Sequence, residues 1–345
     1  MEFAEVEVLM KILIYSPLFY PSIGGLQNVV FVLASEFVRQ GHEVKVVCQV
    51  PDPEAKVFPF EVLRQIGPPQ LLKLTIWCDV YFQVHWSLKG IWPLLLVRRP
   101  LVLSHQGFYR RGDGSSIWQD RLKHFATRFA TNISASQAVA DSLPSPSTVI
   151  SNPYQDDIFE EIPEIRRDRD LIFLGRLVPE KGVDLLLEAL ANLDRLGLTT
   201  KLTVVGSGTE ESNLRQQAKN LNIADRVDFV GVKRERELVE LLNAHKILVI
   251  PSRWQEPFGI VALEGIACGC LAIGSEEGGL KDAIGPCGVT FPNENVAALT
   301  QAIFDFLTAP EKIHFFRSSA KEHLSHHTRA AVAKAYLQVI EGIWR

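Results

Sequence analysis

The sequence predicts an α/β chain built as two parallel-sheet halves of similar size. Three observations predict it. Short apolar runs that suit buried strands alternate with helix-period segments along the whole chain. A polar stretch at 153–169, with Pro153, Pro163 and a charge run from Arg166, divides that alternation into two series. Each series opens on a strand that runs directly into a glycine-bearing loop and then a helix. At 345 residues, with 47% hydrophobic and 22% charged residues, there is sequence enough for two cores.

In the first series, residues 11–15 read as a strand, 17–25 as a loop, 27–40 as a helix closed by Gly41, and 44–48 as the next strand. Further strands are expected at 80–84, 101–104, 132–134 and 149–152, with a helix over 117–130. The second series gives strands at 171–174, 201–205, 226–230 and 247–250 and helices over 183–196 and 211–221. A loop at 251–256 then enters a helix, and a short interior strand follows at 270–273. Two Rossmann-like halves are the simplest architecture. Their expected bounds are 1–155 and 156–327, with a last helix in 328–345 crossing back to the first half.

The formal net charge of −4 gives no reason to expect nucleic acid. Residues 1–150 hold 14 Lys/Arg against 12 Asp/Glu, whereas the remainder is acidic. The basic excess comes from Arg98, Arg99, Arg110, Arg111, Arg121, Lys123 and Arg128. That cluster suits a phosphate-bearing acceptor, an anionic membrane surface or plain solvation. Five scattered cysteines read as buried thiols of a reducing compartment. The first nine residues carry Glu2, Glu5 and Glu7 and no basic region, so a cytoplasmic chain is expected, with Met10 an alternative start. The apolar run 94–97 is too short to span a bilayer.

Five places carry chemistry. Gly24 and Gly25 follow the first strand, where paired glycines let backbone approach a ligand at a helix N-terminus. His105 lies at the carboxyl end of the strand at 101–104, within reach of a donor sugar or phosphate; His85 is its rival at a similar strand end. Arg176 and Lys181 place two cations on one loop, as a pyrophosphate requires. Gly206 and Gly208 form a further glycine pair that suits a nucleotide pocket. Finally, Glu256 and Glu264 bracket Phe258, Gly259, Ile260 and Val261. Pro257 suits the first turn of a helix. The amides of Phe258, Gly259 and Ile260 would then form an anion site between two carboxylates. A helical separation of roughly 12 Å is too long for a glycosidase pair, whose carboxylates lie about 5–9.5 Å apart.

With these residues in place, the chain resembles the retaining family 4 glycosyltransferases of GT-B fold. The marks are EPFGIVALE at 256–264, GRLVPEKGVDLLLEAL at 175–190, the Gly-Gly loop and SHQG at 104–107. The resemblance implies two Rossmann-like domains facing across a cleft, with a UDP- or GDP-linked sugar held by the second and the acceptor by the first. It implies that Arg176 and Lys181 bind the diphosphate and Glu264 the ribose hydroxyls. Glu256 would hold hydroxyls of the transferred sugar, close to the 258–261 amides. Gly24 and Gly25 would lie under the phosphates or near the acceptor, and His105 beside the donor sugar. Transfer with retention, by a front-face route without a metal or cofactor, is expected. No Asp-x-Asp motif is present, since Asp156-Asp157 lacks that spacing. Pro153 and Asp282 depart from the family pattern, in two loops. A nucleotide-sugar epimerase and a catalytically silent binding protein remain as alternatives.

The acceptor is not readable as glycan, lipid-linked or small molecule. The candidate loops 50–69 and 107–116 carry no motif. Trp118, Phe125 and Phe129, with Arg110 and Arg111, leave a weak membrane-surface association open. An amphipathic helix that buries its aromatic face accounts for the same spacing more simply.

Overall fold

The computed structural model describes residues 9–21, 24–53, 56–109 and 118–344. Ser22, Ile23, Arg110, Arg111, the acidic residues before Leu9 and most of the 107–116 loop lie outside the described residues. The chain divides into two compact units. One is Met1–Pro153 with Arg329–Arg345, and the other is Tyr154–Thr328.

The first unit holds β1 (Lys11–Tyr15), β2 (Glu43–Cys48), β3 (Glu61–Arg64), β4 (Val80–Val84), β5 (Leu101–His105), β6 (Thr131–Ser134) and β7 (Thr148–Val149). They form one parallel sheet in the order β3-β2-β1-β4-β5-β6-β7. The central strands are apolar on both faces, as helices above and below require: Ile12, Leu13, Ile14, Val80, Tyr81 and Phe82 are fully buried. The helices are α1 (Gly25–Arg39), α2 (Pro68–Trp77), α3 (Leu88–Ile91), α4 (Trp118–Ala126) and α5 (Gln137–Asp141).

The second unit holds β8 (Arg169–Leu174), β9 (Leu202–Val205), β10 (Val227–Gly231), β11 (His245–Ile250), β12 (Leu271–Ser275) and β13 (Gly288–Phe291). Again all neighbours are parallel, in the order β10-β9-β8-β11-β12-β13. Its helices are α6 (Val183–Arg195), α7 (Glu211–Asn220), α8 (Glu235–Ala244), α9 (Ile260–Ala267), α10 (Leu280–Ile284), α11 (Val296–Thr308), α12 (Pro310–Ser318) and α13 (Ala320–Ser325). Leu186 and Leu190 of α6 and Ile303 of α11 pack over Val204, Val249 and Ile273 of the sheet. Helix α14 (Arg329–Trp344) belongs to the first unit, where it packs on α1. Its buried Tyr336 sets a hydroxyl 2.9 Å from Ser104 Oγ and its ring 5.8 Å from Phe82.

Several expectations are corrected. The stretch 153–169 is irregular but is not a free linker. Tyr154 and Phe159 are buried, and Asn243 bonds Ile162 N–H and Glu160 C=O. Arg167 donates to the carbonyls of Leu242, His245 and Cys268. The expected helix 117–130 is α4 followed by a separate 3₁₀ turn, Thr127–Phe129. The strand expected at 149–152 is the two-residue β7, and helix α1 starts at Gly25 rather than residue 27.

All five cysteines are buried and free. Burial pushes their thiols up, Cys78 and Cys270 to about 12. Among the described residues, no helix is long and apolar enough to cross a membrane.

Candidate functional site

Strand order reverses between β8 and β11 in the second unit. In an open parallel sheet, the loops at the carboxyl ends of two such strands diverge and leave a crevice where ligands bind. The loop after β8 carries Arg176 and Lys181, and the loop after β11 carries Glu256. Topology alone therefore brings together residues 75 positions apart.

Main-chain bonds staple the four neighbouring loops into one rim. Leu177 N–H donates to Ser207 C=O at 2.9 Å, and Glu210 N–H to Leu177 C=O at 3.0 Å. Arg253 N–H reaches Glu180 C=O at 2.9 Å, and Gly279 N–H reaches Glu256 C=O at 2.7 Å. Two glycines make this closeness possible. A Cβ on Gly182 (φ +65) would lie 2.0 Å from Pro251 O, and one on Gly206 (φ +141) would lie 1.8 Å from Gly175 O. Gly206 thus serves the contact between loops, and the exposed tip residues Ser207 and Thr209 are what it turns outward.

Lys181 Nζ donates to Glu256 Oε1, which also accepts Ser252 Oγ–H at 2.6 Å. Burial alone would push the Glu256 carboxyl up. The Lys181 charge, with hydrogen bonds from Lys181, Ser252 and Trp254, outweighs it and holds the group below its ordinary 4.5. The Lys181 ammonium also lies 5.7 Å from the Trp254 ring centre. Ser252 is itself held, its carbonyl accepting Ser275 Oγ–H at 2.7 Å and Asn293 Nδ2–H at 3.2 Å. Sequence reasoning assigned Lys181, with Arg176, to the diphosphate and Glu256 to the transferred sugar. In the structure Lys181 and Glu256 form an ion pair, and Arg176 is the exposed cation of the loop with no ion pair among the described residues.

The helix after Glu256 is shorter than expected. Gly259 (φ +100) sits at its N-cap, so α9 begins at Ile260 and Pro257 lies in the entry loop, not in the first turn. The leading helical amides are those of Ile260 and Val261, which have no acceptor inside the helix. Phe258 is buried, its ring stacked 5.9 Å from that of His327. The strand expected at 270–273 is β12, displaced by one residue at its start.

Glu264 is the fifth residue of α9. Its carboxylate has no ion pair or hydrogen bond among the described residues. Though part of its surface is open, protein crowds it, and burial pushes it up to about 7. The folded chain therefore holds this proton more tightly than the unfolded chain does. The stability gained is complete below 4.5 and is lost as pH rises through about 7. Urea unfolding at pH 5 and pH 7.5 should show that Glu264→Gln flattens this dependence. An unchanged slope would show that Glu264 is ordinary.

In the first unit, the strand order reverses between β1 and β4. Gly24 and Gly25 lie exposed at the start of α1, beyond β1. His105 is corrected. It is fully buried, with Nδ1 2.6 Å from Tyr109 Oη and Nε2 3.0 Å from Asn132 Oδ1. Asn132 Nδ2–H donates to the carbonyls of Thr127 and Ala130, which leaves its oxygen to accept from His105. Both ring nitrogens are thus engaged, and burial holds the ring neutral with a pKa of about 4. His85, the rival, follows β4 at the reversal itself, is partly exposed, and has a left-handed backbone (φ +63). Its ring makes no hydrogen bond among the described residues. Such strain at a sheet edge is a mark of functional positions.

Residues 155–323 match the family model of glycosyl transferases group 1. Glycogen synthase of Mycobacterium tuberculosis (strain CDC 1551 / Oshkosh) is 34% identical over 180 residues, which is 50% of this chain and 43% of that protein. D-inositol 3-phosphate glycosyltransferase 2 of Catenulispora acidiphila is 33% identical over 188 residues, 50% and 44% of the two chains. The chain thus spans less than half the length of these relatives. Among solved structures, Anabaena HepE in complex with UDP superposes with a TM-score of 0.82 at 20% identity, over 96% of this chain and 100% of that one. At that identity the likeness shows the fold alone, a two-domain α/β architecture of GT-B type.

Proposed function

We infer, from a C-terminal unit that belongs to the group 1 glycosyl transferases, that this chain moves a sugar from a nucleoside-diphosphate donor, UDP- or GDP-linked, to an acceptor hydroxyl. The observation that carries the inference is Glu264, a crowded carboxylate with no partner among the described residues, on the helix that follows the Lys181–Glu256 pair. Ribose hydroxyls would give it the hydrogen bonds it lacks. Arg176 and the Ile260 and Val261 amides would face the diphosphate. Glu256, fixed by Lys181 and Ser252, would present its carboxylate to the transferred sugar.

In this reading the bond from the anomeric carbon to the diphosphate breaks, and the leaving oxygen keeps the electron pair. The acceptor oxygen bonds to the same face of the sugar, and its proton passes to the departing phosphate oxygen. Arg176 and the α9 amides stabilise the leaving charge. The reaction proceeds with retention, and the charge it develops is met by these groups rather than by a metal.

Titration of the purified chain with UDP and GDP, and assay of nucleotide release from a panel of UDP- and GDP-sugars, test the reading. Sub-millimolar binding of one nucleoside diphosphate is expected, weakened about tenfold or more by Glu264→Ala, as loss of a charged hydrogen-bonding group implies. Binding should also tighten as pH rises to 7, where Glu264 becomes an acceptor. No binding at millimolar concentration would end the proposal, and donor isomerisation without acceptor would replace it with the epimerase.

A further inference from the structure

Helix α4 is amphipathic in the wrong sense for a helix packed on its own protein. Trp118, Leu122, Phe125 and Phe129 fall on one stripe at steps of three and four. They are 70%, 42%, 53% and 72% exposed. The polar residues Asp120 and Thr127 are buried instead, Thr127 Oγ1 lying 2.8 Å from Ser145 Oγ. His124 sets its ring edge-on to Tyr109 at 5.9 Å, and Lys123 lies 5.5 Å from the same ring. The aromatic face that the sequence spacing suggested was buried is therefore the outer one.

That outer face has a definite chemistry. Phe125 and Phe129 meet edge to face at 5.4 Å, so they form a continuous apolar surface. The guanidinium of Arg128 lies 5.9 Å from the Phe125 ring, and Arg121 is exposed one turn before it. The only acid of this segment, Asp120, is turned inward, near Lys123 at 3.8 Å. A Trp, a Leu and two Phe flanked by arginines suit one surroundings above others. Apolar rings enter the acyl boundary while guanidinium groups meet lipid phosphates. An apolar protein partner would not call for the arginines, and a nucleic acid would not call for four bare apolar side chains.

We propose that the outer face of α4 and its 3₁₀ extension docks this chain on an anionic membrane surface. The proposal is independent of the transferase reading. Vesicles of phosphatidylglycerol and phosphatidylcholine in equal parts, and of phosphatidylcholine alone, are sedimented with the whole chain. Binding is expected to the anionic vesicles and to fall with added salt. Arg121→Gln with Arg128→Gln should weaken it roughly thirty-fold, at about one kcal/mol per arginine near an anionic surface. Phe125→Ser with Phe129→Ser should abolish it. These side chains are exposed, and unfolding curves of each variant should match the parent. On anionic vesicles the Trp118 emission, isolated by difference against Trp118→Phe, should shift to the blue. Equal sedimentation with neutral vesicles, or none with either kind, overturns the proposal. So does concentration-dependent dimerisation that only the Phe125→Ser, Phe129→Ser pair abolishes, which would make the face a contact between copies.

Discussion

Lys181→Ala is expected to lower donor turnover on the order of 10²-fold or more and to cost about 3 kcal/mol of stability. The reason is the state in which it leaves Glu256. Glu256 is 6% exposed, and its carboxylate would keep the Ser252 and Trp254 hydrogen bonds but lose its only countercharge among the described residues. Removing one member of a buried pair costs about 3–5 kcal/mol, because the other charge stays buried. The Lys181 side chain is 20% exposed, so the lower end applies. Glu256→Gln removes the charge and should cost less. In the double variant, Lys181→Ala should add little to Glu256→Gln, because the two act on one interaction. Thermal or urea unfolding of the four proteins gives the coupling, and nucleotide release from the donor gives the turnover. If the two losses simply add, the pair is not coupled and the rim has been misread. The loss of turnover belongs to the proposed function: Lys181 fixes the carboxylate meant for the sugar, and positioned electrostatic groups contribute on that scale.

Gly182→Ala should be as damaging without touching any charge. A left-handed backbone costs a non-glycine residue about 1–3 kcal/mol. Here the added methyl would also stand 2.0 Å from the Pro251 carbonyl oxygen, so one backbone must move. Gly197 supplies the control. It has φ +78, yet a Cβ there would meet nothing within 4 Å. Gly197→Ala should therefore show the backbone cost alone, about 1 kcal/mol, with donor release unchanged. Gly182→Ala should exceed it by several-fold in unfolding free energy. It should also weaken nucleotide binding, since the displaced loop carries Lys181 and the Glu180 carbonyl that holds Arg253. Equal effects at the two positions would show that the close approach is immaterial.

How much of this could be read from the chain differs by element for physical reasons. Central strands such as β4 and β8 are apolar runs because both faces are covered, and such runs announce themselves. Edge strand β3, Glu61–Arg64, is half-buried and mixed in composition, and no period marks it. Helix α2 opens on Pro68-Pro69, which reads as a turn until the helix behind it is seen. In the site, residue types and spacing marked Lys181, Glu256 and Glu264. The pairing of the first two depends on the order of strands, which no local window contains. His105 was chosen for its place at a strand end. Its burial depends on Tyr109 and Asn132, the second from a neighbouring strand. The period of α4 was visible, but a period does not say which side faces inward. Ser252 left one signal, a hydroxyl just past a buried strand and four residues before Glu256.

The interlocked ends of β8 and β9 bear on how such a chain can diversify. Gly175, Leu177, Gly206 and Gly208 meet through main-chain atoms, so the contact is indifferent to most neighbouring side chains but intolerant of a change in length. An insertion in either loop would displace the other and carry the Lys181 turn with it. Novelty in ligand choice then comes most readily by point substitution at outward tips such as Ser207 and Thr209. A library varied at those two positions, at fixed length and with Arg176 kept, would sample new specificities without dismantling the frame that presents them.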